Sequence, residues 1–165
     1  MDLDAVHRDD RVSSAQEGSS SSGGALGDST VQRRAESVML QALARHLGFE
    51  LHSESIPVGE GARVELDGVS DDRSVLVESC AHHGVVKPAQ RNKVLADAMK
   101  LVLVEAILGH RARKILLFSD VQAAQRFRSG WAAVALAHFA VEVVVVEISQ
   151  ELRASILEAQ VRQYR

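Results

Sequence analysis

Two carboxylates and a cysteine in neighbouring β-rich segments are the residues of this chain best placed to do chemistry. Asp67 ends one apolar segment, and Glu78 lies in the next, after a polar run that predicts a turn. A hairpin would bring the two carboxylates side by side, where their oxygens suit Mg²⁺ or Mn²⁺. Two residues after Glu78, on the same face of the strand, lies Cys80 rather than a basic residue.

A metal site for phosphodiester hydrolysis also needs a cation beside it, because a lysine would stabilise the charge that develops on the phosphate. A thiol at Cys80 cannot replace that ammonium. The following helix offers Gln90, Lys93, Asp97 and Lys100 within an arc of about 80°. We expect Gln90 and Lys93 to point toward the carboxylates. The alternative is a solvated face on which Asp97 pairs with Lys93 and with Lys100.

Each candidate also has a purely structural interpretation. Asp67 precedes a glycine, and Asp-Gly pairs often start turns. Glu78 lies among valines and a leucine, where a carboxylate is costly unless it faces a cleft or a partner, so a functional role is favoured. Cys80 and His82 share a strand face and could form a thiolate–imidazole pair or part of a zinc site. No further ligands have suitable spacing, so burial of Cys80 as a small apolar residue is favoured.

The composition predicts one domain that follows a polar tail. The chain has 165 residues, a net charge of -3 and 46% apolar residues. Residues 1–30 are rich in Ser and Gly and predict a disordered tail, which leaves a single domain over residues 31–165. The chain lacks the basic excess of most nucleic-acid binders. No apolar run is long enough to span a membrane, and a single cysteine fits a reducing cytoplasm, where we expect the protein to act.

Hydrophobic periodicity predicts the order α-β-β-β-α-β-α-β-α. The predicted elements are helix 31–46, strands 49–58, 62–67 and 74–82, helix 88–108, strand 114–119, a helix to residue 139 capped by Asp120, strand 141–148, and a last helix capped by Ser149. Strand 141–148 is almost continuously apolar, which indicates a strand covered on both faces. This order predicts an α/β fold with a mixed central sheet and helices on both faces.

The order of elements, with a glutamate in the first helix and acidic residues in the second and third strands, resembles the PD-(D/E)xK nuclease superfamily. That family has the restriction-endonuclease-like fold, and the resemblance covers most of the ordered chain. It implies that Asp67 and Glu78 are the motif carboxylates and that Glu36 joins them as a metal ligand. Leu66 stands where the motif has proline, and Cys80 where it has lysine. Some members supply that lysine from the following helix.

The resemblance implies a Mg²⁺- or Mn²⁺-dependent nuclease that hydrolyses phosphodiester bonds of DNA. Asp67, Glu78 and Lys93 would be catalytic, with Glu36 and Gln90 in support. The alternative is a catalytically inactive nuclease fold that binds DNA or a protein partner, or that assembles as a homo-oligomer. The missing motif lysine and the weak basic charge favour the alternative, whereas the carboxylate pair and the polar stripe of the helix favour the nuclease.

Overall fold

The computed structural model describes residues 22–163, with side chains for residues 30–162. The elements in chain order are α1 (Ser22–Leu47), β1 (His52–Gly59), β2 (Ala62–Val69), β3 (Val75–Cys80), α2 (Pro88–Leu108), β4 (Arg113–Phe118), α3 (Val121–Gln125), α4 (Gly130–His138), β5 (Val141–Val145) and α5 (Gln150–Gln163). The strands form one sheet in the order β1-β2-β3-β4-β5. The predicted α/β class with a mixed sheet is therefore confirmed.

The direction of each strand follows from the length of its connection. Short turns join β1 to β2 and β2 to β3, and these pairs are antiparallel, whereas helical crossovers make β3, β4 and β5 parallel. The β1–β2 turn is Glu60-Gly61, and both residues have positive φ, at 51° and 77°. Two such residues make the tight turn that matches the twist of a hairpin.

Helices cover both faces of the sheet. On one face, Leu76, Leu116 and Phe118 pack with buried residues of α2, α3 and α4. On the other face, Val77 and Ile115 pack with buried residues of α1 and α5. Alternation along β3 therefore sends odd-numbered and even-numbered side chains into different cores, as expected for a central strand. Within residues 22–163, no helix has the length and apolarity needed to cross a membrane.

Two predicted helices differ from the observed ones. The first helix begins at Ser22 instead of residue 31, so residues 22–30 are helical and not part of a disordered tail. The remainder of the predicted tail, residues 1–21, lies outside the described residues. The helix predicted to run from Asp120 to residue 139 is instead two helices, α3 and α4. Phe127 lies between them and is buried, and Ser129 then takes the N-cap position of α4.

The last strand is shorter and more exposed than predicted. β5 ends at Val145, and it lies at the edge of the sheet. Only Val141 is buried, while Glu142 is exposed and residues 143–145 are half-buried. Val143 and Val145 pack against the core on one side of the sheet and Val144 against the core on the other, so both faces are covered as predicted, and the partial exposure follows from the edge position.

Candidate functional site

Glu78 occupies the middle of the sheet, and its carboxyl group is almost completely buried. It shares a strand face with Leu76 and Cys80, as the alternation predicted, and only 3% of it is exposed. The Lys100 Nζ atom lies 2.6 Å from Glu78 Oε1. No described residue gives Oε1 a hydrogen bond of good geometry, so this oxygen is held by the ion pair. Burial raises the pKa of Glu78 to about 8, although the Lys100 ammonium acts in the opposite direction.

Helix α2 brings Lys100 to Glu78 and holds it there through Asp97. The Lys100 Nζ atom is 2.9 Å from Asp97 Oδ1, and the Lys93 Nζ atom is 3.0 Å from Asp97 Oδ2. The two ion pairs expected for a solvated helix face, Asp97 with Lys93 and Asp97 with Lys100, are therefore both present. Burial lowers the pKa of Lys100, but its contacts with Glu78 and Asp97 raise that pKa more, and the net shift is upward. Lys100 is thus a permanently charged ammonium at the sheet surface.

Asp67 lies on β2 beside Glu78, at a point where the two strands separate. The pairing of β2 with β3 runs from Val69↔Leu76 to Gly68↔Val77. At the next position the Ser79 amide N–H donates to Asp67 Oδ2, at 2.7 Å, in place of a backbone carbonyl. The predicted neighbourhood of the two carboxylates is confirmed.

A glycine next to Asp67 allows α1 to approach the sheet. A Cβ atom on Gly68 would lie 2.7 Å from Leu40 Cδ2 and 3.3 Å from Val77 Cβ. A larger residue at this position would require the Leu40 side chain of α1 to move, so Gly68 lets Leu40 pack directly on β2.

Glu36 lies near the carboxylate pair without joining it. It lines the same cleft as Asp67 and accepts a hydrogen bond from Gln32 Nε2, at 2.9 Å. Burial raises the pKa of Glu36, and the charges of Asp67 and Asp97 raise it further. Among the side chains of residues 30–162, no three from His, Cys, Asp and Glu converge closely enough to hold a metal ion. Glu36 is therefore an electrostatic neighbour and not a third ligand in this arrangement.

The hydrogen bonds of Gln90 and Lys93 lead to the start of α2, to His82 and to Asp97, whereas we expected them at the carboxylate pair. Gln90 Oε1 accepts from the Lys87 amide at the start of α2, at 2.9 Å, and Gln90 Nε2 lies 3.1 Å from His82 Nδ1. The Lys93 ammonium is bonded to Asp97. Among the described side chains, the ammonium in contact with Glu78 is that of Lys100. Lys100 lies in the same helical arc as Lys93. The sequence does not show which of the two lysines reaches Glu78 along the helix axis.

We name the group of Glu36, Asp67, Glu78, Asp97, Lys93 and Lys100 the carboxylate–lysine cluster. Four carboxyl groups lie near two ammonium groups, and a bound cation would favour the ionised form of Glu78, whose pKa burial raises to about 8. Carboxylate oxygens are the ligands that Mg²⁺ and Mn²⁺ prefer. A divalent ion at Glu78 and Asp67 would share Glu78 Oε1 with the Lys100 ammonium, which lies 2.6 Å from it, and would take its other ligands from water or phosphate.

Cys80 does not form the thiolate–imidazole pair considered above. Burial raises the pKa of the Cys80 thiol, and the ring of His82 is bonded to Gln90 instead. Cys80 packs at the margin of the core between the sheet and α2. The geometry therefore supports a structural role for Cys80, as a small apolar residue that fills space in the core.

A second polar group, which the sequence did not reveal, joins the ends of β3 and β4. Ser119 Oγ lies 3.0 Å from His83 Nε2, and Asp120 Oδ1 lies 3.9 Å from His83 Nδ1. Asp120 Oδ2 caps α3 through the Ala123 amide and also accepts from the Gly84 amide. All three side chains are buried, so this Ser–His–Asp set fixes the loop after β3 and does not present a nucleophile to solvent. His83 is 36 residues from Ser119 in the chain, which hides the grouping from sequence inspection.

Comparison of the chain with protein families, with curated proteins and with solved structures gave no match.

Proposed function

We propose that this protein is a Mg²⁺- or Mn²⁺-dependent nuclease that hydrolyses phosphodiester bonds of DNA, with Asp67, Glu78 and Lys100 as its catalytic residues. One observation carries the proposal: the Lys100 Nζ atom lies 2.6 Å from Glu78, on the strand next to Asp67. A lysine from α2 thus occupies the role for which β3 offers only Cys80. The order of strands and helices agrees with the restriction-endonuclease-like fold, which supports the same assignment.

Each residue of the cluster would have a different role in hydrolysis. Asp67 and Glu78 would hold the metal, which when bound supplies positive charge to the phosphate and activates a water molecule. Lys100 would donate to the phosphate oxygen or water at the site, where its charge stabilises the developing negative charge. Asp97 orients Lys100 through the ion pair at 2.9 Å. Glu36 adds negative charge at the edge of the site and favours cation binding.

A catalytically inactive binding module is the second candidate. The Lys100–Glu78 contact balances the buried carboxyl group without a metal, and no group of three ligands is present among the described side chains. In that case the fold would bind DNA or a protein partner, or a second copy of the chain. Glu78 is buried, its pKa is raised, and the carboxylate of Asp67 lies on the next strand. Such groups concentrate at functional sites, which argues for the nuclease.

A cleavage assay with carboxylate variants tests the proposal. The full chain is incubated with single- and double-stranded DNA in Mg²⁺, Mn²⁺ or EDTA, and Asp67→Asn and Glu78→Gln are compared with the exposed control Glu65→Gln on the same hairpin. We expect metal-dependent cleavage that falls at least about 100-fold in the two site variants and is unchanged in Glu65→Gln. Absence of both cleavage and metal-dependent thermal stabilisation in the wild type would sink the nuclease proposal.

A further inference from the structure

A mostly apolar cavity of about 220 Å³ lies beside the carboxylate–lysine cluster. It lies at the end of β3, and its walls come from this strand end, from α1, from the first turns of α2 and from α5. Val94, Ile156 and Ala159 provide apolar surface. Ser79 and Lys93 add a hydroxyl and an ammonium to the walls. The roles assigned so far to the cluster do not use this cavity.

Ser79 gives the cavity a polar group that lacks a partner. The residue is 3% exposed, and no described group forms a hydrogen bond with its Oγ atom. Buried hydroxyls are nearly always satisfied, and the Ser79 Oγ atom exposes less than 1 Å² of surface, so its side chain must rotate to bond a ligand atom in the cavity. The backbone of the same residue donates to Asp67, at 2.7 Å. The cavity wall is therefore bonded directly to a proposed metal ligand.

Lys93 places a positive charge where the cavity meets solvent. Its side chain is 64% exposed, and its ammonium contacts Asp97 at 3.0 Å. An ammonium has three donors, so the contact with Asp97 leaves capacity for a further acceptor. Asp97 also contacts Lys100, so one carboxylate connects the lysine of the cavity with the lysine proposed for the chemical step.

Size and chemistry together define the class of ligand. The volume is below the roughly 300 Å³ at the lower end for drug-sized ligands, so the cavity fits a single ring system and not a large cofactor. Apolar walls suit the face of a ring, the Ser79 hydroxyl suits its polar edge, and the exposed ammonium suits an anionic substituent. A nucleobase with its attached phosphate has this combination.

We propose that the cavity receives one nucleobase of the DNA strand while Lys93 binds the phosphate attached to that nucleotide. The inference rests on the proposed nuclease function and specifies how its substrate is held. The base leaves the stack and enters a closed site beside the metal ligands, as enzymes that act on unstacked nucleotides require. Lys93 is then a positioning residue for the substrate, and Lys100 is the lysine of the chemical step.

Binding of nucleotide fragments to the full chain in EDTA tests the inference without cleavage. The probes are the four 2′-deoxynucleoside 5′-monophosphates, the matching nucleosides, deoxyribose 5-phosphate, benzoate and a five-nucleotide single strand. Binding is followed through the backbone amide resonances of Ser79, Val94 and Ala159. We expect at least one monophosphate to shift these resonances and to bind at least about tenfold more tightly than deoxyribose 5-phosphate. The single strand should bind more tightly than the free monophosphate.

Two variants with matched controls test whether the base lies in the cavity and whether the phosphate binds Lys93. Ala159→Leu fills the cavity, and Ala154→Leu is the control because it is exposed on the same helix. Lys93→Gln removes the ammonium, and Arg91→Gln removes an exposed charge two residues earlier on the same helix. We expect Ala159→Leu to abolish binding of nucleosides and monophosphates alike. Lys93→Gln should weaken the monophosphate about tenfold and leave the nucleoside within twofold, whereas both controls match the wild type.

The outcomes separate this inference from the nuclease proposal. Metal-dependent cleavage without any shift of the cavity resonances would overturn the base pocket and leave the nuclease standing. Nucleotide binding in the cavity without cleavage would support the pocket and reject the nuclease. Equal binding of benzoate and the monophosphates would overturn the nucleobase assignment, and a free monophosphate that binds as tightly as the strand would overturn DNA as its source. If Ala159→Leu does not fold, the wild-type resonances decide the question alone.

Discussion

Lys114 and Glu78 are both almost completely buried, yet their charges are balanced in different ways. Lys114 is 1% exposed and pairs with Glu105, whose side chain is 23% exposed and also accepts from the Ala112 amide at 3.0 Å. The bond from Lys114 lowers the pKa of Glu105, which favours the carboxylate form of that residue. Burial raises the pKa of Glu78 instead, which keeps its charge sensitive to pH and ligands.

Loss of Glu105 should therefore cost much more than loss of its partner. Glu105→Ala leaves a buried ammonium without compensation, and we expect the free energy of unfolding to fall by about 3 kcal/mol. Lys114→Met keeps an apolar stem in the same space and leaves a carboxylate that water can reach, so the loss should stay below about 1 kcal/mol. Urea unfolding at pH 7 measures both. Equal losses in the two variants would contradict a buried, charged Lys114.

Residue types and alternation were enough to predict some of the site. Strand periodicity placed Glu78 and Cys80 on one face, and the turn placed Asp67 beside Glu78, because both depend only on local geometry. The choice between Lys93 and Lys100 could not be predicted. Both lie in one helical arc, and the lysine that reaches Glu78 is decided by how α2 packs along the sheet, which is a tertiary property.

At the scale of elements, the loop between β3 and α2 is held from two sides. Gln160 of α5 bonds both the backbone N–H and the carbonyl of His83, at 2.9 and 3.1 Å. The His83 ring meets Ser119 at the end of β4. Because this loop leads from Glu78 to the helix that carries Lys93 and Lys100, its rigidity sets the distance between the carboxylates and the lysines.

The stability of the fold should depend on the protonation of His83. Burial lowers the pKa of His83 below its usual value, although Asp120 acts in the opposite direction and His82 and Arg153 act with burial. The neutral ring is favoured in the folded state. Its contribution is therefore complete above about pH 6.5 and is lost as pH falls through the lower, folded-state pKa.

Relative to His83→Gln, the wild type should lose stability below about pH 6.5 with an added slope of up to about 1.4 kcal/mol per pH unit, because Glu78, whose raised pKa acts in the opposite direction, is common to both proteins. His83→Gln removes the titrating ring and should remove that slope, while the exposed His110→Gln should keep it. Urea unfolding between pH 7.5 and 5 measures the three proteins. Parallel curves for the wild type and His83→Gln would show that the ring is not buried in its neutral form.

The elements themselves were predicted where local signals were strong. Pro88 and the long helical periodicity gave the bounds of α2, and Ser149 caps α5 through the Leu152 amide, at 3.2 Å. The break between α3 and α4 was missed because no proline marks it, and burial of Phe127 decides it. The edge position of β5 was missed because strand order is set by pairing and not by composition.

At the scale of the whole molecule, charge is concentrated where the sheet opens. The net charge of -3 gives no general attraction for DNA, so binding must rely on local features. The carboxylate–lysine cluster lies where β2 and β3 separate, and the adjacent cavity is closed by α1, α2 and α5. A divalent ion at the carboxylates would supply the positive charge that the surface lacks.

The rate of DNA cleavage by the two lysine variants tests the central claim most directly, namely that Lys100 and not Lys93 is the catalytic lysine. Single-turnover cleavage in saturating Mn²⁺ and DNA is measured for the wild type, Lys100→Met and Lys93→Met. We predict that Lys100→Met lowers the cleavage rate at least about 100-fold, whereas Lys93→Met weakens DNA binding and changes the saturated rate less than about threefold. A full rate in Lys100→Met together with a large loss in Lys93→Met would contradict the account.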